Sequence, residues 1–152
     1  MSLSSIDRVR ELATRGEHQR ALAQIDEIVD AGYADGELML LKAACIQLSD
    51  AEDQTLDDAE RCLRRAVELA PESSEAECEL GWFLLNVRDA AADALPHFEA
   101  ALTKARADLT SIIVGAVSAK DETTSPTEAA KYLESLGRDL LDSEAIIAAL
   151  ED

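Results

Sequence analysis

Aromatic side chains supply only 3% of this chain, as one Trp, two Tyr and two Phe, and there are only six Gly and three Pro among 152 residues. A many-stranded sandwich or barrel draws on aromatic and β-branched residues for its strands and on Gly and Pro for its turns, so the shortage argues against that class. Cys45, Cys62 and Cys78 are an odd number without CxxC spacing. Each falls in a helical pattern and reads as a small buried thiol rather than a disulfide partner or metal ligand. No run approaches the ~18 apolar residues of a membrane span. The opening "MSLSSIDRVRELATRGEH" lacks the apolar stretch of a signal peptide and meets charge by Asp7, so a cytoplasmic, reduced setting is expected. Lysine is rare too, at four against ten arginines.

What is present is acid and small apolar residue. Thirty-two Asp and Glu against fourteen Lys and Arg give a net charge of −18. Such a surface repels nucleic acid phosphates and anionic membranes, so neither is expected as a partner. Disorder does not follow from the charge, because 47% of the residues are hydrophobic, mainly Ala, Leu, Ile and Val. Ala and Leu are strong helix formers that pack closely, and 152 residues suffice for one domain with a core. A salt-loving host, a GC-rich genome and a basic client each account for the acid excess equally well.

Apolar residues recur with helical spacing over 4–15, 18–31, 36–49, 56–70, 73–87, 90–106, 108–121, 126–140 and 143–151, predicting an all-α chain. In the segment "LDDAERCLRRAVELAPES", Leu56, Ala59, Leu63, Ala66, Val67 and Ala70 share one face, while Asp57, Glu60, Arg61 and Arg64 face outward. Gly16, Gly32 and Pro71 supply stops, and Ser125-Pro126 supplies a cap before a proline at the first helical position. The β-branched run "SIIVGAV" from Ser111 is ambiguous by itself, but its flanks are helical in character.

The pattern repeats. Ala21, Ala59, Ala94 and Ala129 each open an amphipathic helix, at intervals of about 35 to 38 residues. Ile25, Leu63, Phe98 and Leu133 follow four residues on, then Ile28, Ala66, Ala101 and Leu136. A two-helix unit at this period is the signature of an α-solenoid, whose units bury their apolar faces only by stacking. With "ELGWFLL" supplying Leu80-Gly81, then Ala94, Phe98 and Ala101, and with Ala59, Leu63, Ala66 and Pro71 in the preceding unit, the chain resembles the tetratricopeptide repeat family. The resemblance implies an α-α superhelix of about four helix-turn-helix repeats, roughly 2–34, 36–72, 74–107 and 108–140. A short capping helix over 143–151 would cover the last of them, making one domain of 1–152.

The resemblance also implies a use. In this family the first helices of successive repeats line a concave groove that takes a partner's peptide or helix. Carried over, the groove positions are Glu37, Leu40, Ala44, Gln47 and Leu48 in the second unit. The third unit gives Glu75, Cys78, Trp82, Leu85 and Asn86. In the fourth, Thr110, Ile113, Val117, Lys120 and Asp121 follow, to within one residue. Mixed apolar and acidic lining suits a basic or amphipathic segment. Trp82 reads equally well as packing between adjacent first helices, and Leu40 and Ile113 as stacking contacts. The Lys, Asn and Arg clamp with which related co-chaperones hold the acidic tails of heat-shock proteins is absent, since Ile6, Leu40, Cys78 and Ile113 occupy the relevant positions.

Convergent polar groups for catalysis are not found. His18 and His97 fall in different units and read as surface or packing residues. The acidic stretch "SDAEDQTLDD" lacks the glycine and terminal Glu spacing of a calcium-binding loop and reads as an enlarged turn. No enzyme activity, cofactor or metal is expected. The expectation is a protein-interaction adaptor or scaffold, with a dedicated acidic chaperone for a basic client as the alternative and self-association left open.

Overall fold

The computed structural model describes the backbone over residues 5–49 and 54–139; the side chains at 110–116, 118–123 and 136–139, and the expected helix over 143–151, lie outside the described residues. Among the described residues seven helices follow in order: α1 (Ser5–Thr14), α2 (His18–Asp30), α3 (Gly36–Leu48), α4 (Leu56–Leu69), α5 (Ser74–Asn86), α6 (Ala91–Thr123) and α7 (Pro126–Asp139). No strand occurs among the described residues. The all-α class expected from periodicity is the class observed.

Chemistry at the helix ends explains most boundaries. After α1, the Gly16 amide donates to Ala13 O at 3.0 Å and the Glu17 amide to Leu12 O at 3.0 Å. After α2, the Gly32 amide reaches Val29 O at 2.9 Å and the Tyr33 amide Ile28 O at 3.2 Å. Both are Schellman endings, and both need the left-handed φ of +76° and +89° that glycine tolerates. The Asp35 carboxylate caps α3 by accepting from Leu38 N at 2.8 Å, and the Tyr33 hydroxyl, then that amide, hold its pKa below the usual carboxylate range. Thr55 and Asp58 form a reciprocal capping box on α4, and Ser73 caps α5. Pro71 follows the end of α4, and Pro126 opens α7 behind Ser125, whose hydroxyl accepts from Glu128 N at 3.3 Å.

The chain divides into two compact units, Met1–Lys104 and Ala105–Asp152. In the first, α1 packs on α2 and α3, α2 on α3, α3 on α4 and α5, and α4 on α5. The core consists of small residues at the closest approaches and branched ones between them. Ala21, Ala43, Ala59, Ala66 and Ala76 are fully buried, and Ile25, Leu38, Leu63, Leu80, Val9 and Cys45 are the largest fully buried side chains. Side chains also join α5 to the first turns of α6: a Cβ added at Gly81 would meet the Phe98 ring at 3.0 Å. In the second unit Ala129 of α7 is buried.

One expectation is corrected. Periodicity placed separate helices at 90–106 and 108–121, with a repeat boundary between 107 and 108, whereas α6 runs unbroken from Ala91 to Thr123. The intervening sequence "TKARADLT" carries no Gly, no Pro and a full complement of helix formers, so no residue in it stops propagation. Pro96 is the sixth residue of α6, inside the helix, where its ring leaves the Ala92 carbonyl without its i+4 amide donor.

Candidate protein-interaction face

The groove positions carried over to α3 and α5 lie on two helices that pack against each other. On α3, Glu37, Ala44 and Gln47 are exposed, Leu40 is half-buried against the core, and Leu48 is 66% exposed. On α5, Glu75 and Asn86 are exposed, Cys78 and Leu85 are half-buried, and Trp82 is 49% exposed. Of the ten positions that the repeat resemblance supplied on these two helices, seven are exposed and three are half-buried. Ile113 and Val117 fall within α6; Val117 is half-buried, and the side chain of Ile113 lies outside the described residues, as do those of Thr110, Lys120 and Asp121.

Trp82 packs edge-on against Phe98 of α6, with ring centroids 5.1 Å apart and planes at 74°. One side of the indole is therefore anchored and the rest meets solvent. Glu37 is not a free carboxylate. Its Oε1 accepts from Arg10 Nε at 2.8 Å and from a second guanidinium nitrogen, while Arg10 also reaches Asp7 at 2.8 Å. A partner must displace Arg10 to use Glu37. Glu75 and Glu79 are both exposed on α5, and among the described residues neither forms an ion pair.

Two ion networks were not anticipated from the sequence. Glu77 on α5 is only 7% exposed, yet it is charged. His97 Nδ1 lies 2.7 Å from its Oε2, and Lys104 Nζ donates to its Oε1 at 2.7 Å. Burial pushes the Glu77 carboxyl up, but the bonds from Lys104 and His97 outweigh it and leave the pKa below the ordinary value. His97 and Lys104 are seven apart on one helix face, but their shared partner Glu77 lies on another helix, 20 and 27 residues away in sequence.

The second network surrounds Arg88, at the end of α5. Its Nε donates to Glu60 at 2.8 Å and its Nη2 to Asp57, both on α4, and its guanidinium carbon lies 5.5 Å from the centroid of the Phe83 ring. Glu60 also accepts from Arg64 at 2.8 and 2.9 Å. Burial raises the Glu60 pKa, but Arg64 and Arg88 bring it below the usual range, and Asp57 followed by Glu60 raises that of Arg88.

Between α3 and α4 a cavity of about 410 Å³ is lined by Met39, Lys42, Gln54, Asp58, Arg61, Cys62 and Arg65. Its charged groups are engaged: Lys42 with Asp26 at 2.6 Å, Arg61 with Asp58, and Arg65 with Glu68 at 2.7 Å. Burial pushes the Cys62 thiol above its ordinary pKa, which keeps it protonated and a poor nucleophile. No group of three or more His, Cys, Asp or Glu gathers around a metal position, and no helix is long and apolar enough to cross a membrane, among the described residues.

Set against known proteins, the chain matches no family model, no curated protein and no solved structure.

Proposed function

We propose that this chain is a non-enzymatic protein-interaction module of tetratricopeptide-like build, an adaptor or scaffold that holds a peptide or helix of a partner against the outward face of α3 and α5. The observation that carries this reading is the half-exposed, anchored Trp82. A large ring held in place on a protein surface loses little freedom on binding, and such residues are disproportionately strong anchors. Leu40 and Leu85 are half-buried against the core, whereas Leu48 is exposed at the end of α3 beside Gly16 and His18.

The test is capture of partners from the source organism on immobilised protein, with Trp82→Ala and an outer-helix control, Arg61→Gln, compared on each one. Trp82→Ala is expected to weaken capture roughly 30-fold or more, from a hot-spot loss of ~2 kcal/mol. Arg61→Gln is expected to leave capture unchanged. If Trp82→Ala stays folded and binds like wild type, the partner sits elsewhere.

The excess of acid over base favours a second reading, a chaperone dedicated to a basic client. It differs in one measurable respect: a client would remain in solution only when produced together with this chain, whereas an adaptor's partner would fold without it.

A further inference from the structure

The molecule already shows how it holds an arginine. Arg88 is gripped by one aromatic ring, Phe83, and two carboxylates, Asp57 and Glu60. The ring attracts the cation through its quadrupole, and the carboxylates fix the guanidinium fork by hydrogen bonds. One residue earlier on α5, the same kinds of group appear on the solvent side. Trp82 is half-exposed, and Glu79 and Glu75 precede it by three and seven residues, which places all three on one helical face.

We infer that Trp82, Glu75 and Glu79 form a receptor for an arginine side chain of the partner. The inference rests on the reading of α5 as part of the partner-binding face, and it names what arrives there. Indole is a better cation–π surface than the phenyl ring that already serves Arg88. Phe98 fixes the indole from one side at 5.1 Å, so the ring is set before the partner arrives. A planar guanidinium lies flat on a ring and still offers N–H groups to carboxylates beside it, which a compact ammonium does less well. An aliphatic side chain there would strip water from Glu75 and Glu79 without returning a hydrogen bond. The −18 net charge draws a basic segment toward the site, and Glu75 and Glu79 then decide where it docks.

The experiment compares a short fluorescein-labelled peptide carrying one central arginine with the same peptide carrying citrulline, the neutral isostere. Binding is read by anisotropy, and independently by the emission of the chain's single tryptophan, Trp82. The arginine peptide is expected to change that emission saturably and to bind about tenfold more tightly than the citrulline peptide. Trp82→Leu, which keeps apolar bulk, is expected to lose about that factor. The pair Glu75→Gln with Glu79→Gln should weaken binding similarly. Glu27→Gln with Glu72→Gln, which changes net charge by the same amount, should leave most of it. Equal binding of the two peptides, or equal loss in both charge pairs, overturns the arginine assignment. If Trp82→Ala loses binding while Trp82→Leu keeps it, the face stands and the indole is an apolar anchor. If neither variant matters, the face itself is wrong.

Discussion

A methyl group at position 36 would stand 2.6 Å from Ala70 Cβ and 3.2 Å from Ala66 O, atoms fixed to the backbone of α4. Neither can swing away, so Gly36→Ala must push the start of α3 off the end of α4. We expect a loss of about 1–3 kcal/mol in urea unfolding. Gly81→Ala meets first the ring of Phe98, at 3.0 Å, a partly buried side chain rather than backbone. It should cost less, and equal losses at the two sites would contradict this account. Glu77 gives a pH signature instead. Its folded pKa lies below its unfolded value of ~4.3, so its stabilising contribution is complete above that value and is lost as pH falls through the folded one. Glu77→Gln should cost about 1–3 kcal/mol near neutral pH. The gap from wild type should narrow steadily below about pH 4.3, and a gap independent of pH would show that the carboxylate's charge contributes nothing.

Among the elements, helix ends were legible wherever a residue enforces them. Gly16, Gly32, Pro71 and Ser125-Pro126 each carry a steric or hydrogen-bonding reason to stop or start, and the helices end there. Between Ala105 and Leu109 there is no such residue. There the repeat period alone supplied a boundary, and local propensity overrode it to give one helix. The groove positions on α3 and α5 were supplied by the repeat resemblance rather than read from spacing. The engagement of Glu37 by Arg10, 27 residues away, and the seating of Trp82 on Phe98 depend on how helices pack, which spacing within one helix does not encode. The continuity of α6 is itself testable. Proline at Ala107 removes an amide donor and collides with the Thr103 carbonyl, so Ala107→Pro should cost ~3 kcal/mol or more and reduce helical ellipticity. A fully tolerated proline would restore the turn that periodicity expects.

At the scale of the whole molecule, −18 charges act together. Arginine and lysine are largely committed to nearby carboxylates: Arg10, Arg15, Arg20, Arg61, Arg64, Arg65, Arg88, Lys42, Lys104 and Lys131 all hold ion pairs. The surplus acid has no internal cation to meet. Salt should therefore raise the melting temperature between about 10 and 150 mM sodium chloride, as the screening length shortens from ~30 to ~8 Å. A flat or falling trend would show that local pairing already offsets the repulsion.

Two of the four lysines, Lys42 and Lys104, lie between helices: Lys42 ties α3 to Asp26 of α2, and Lys104 ties α6 to Glu77 of α5. Amine chemistry is consequently not neutral toward this protein. Acylating Lys104 would leave Glu77 a buried carboxylate facing only His97, a far costlier change than acylating Lys131, whose exposed pair with Glu128 lies within one helix. A surface or dye attached through Lys131 would spare the inter-helix joints, whereas indiscriminate labelling of amines would loosen the scaffold it was meant to report on.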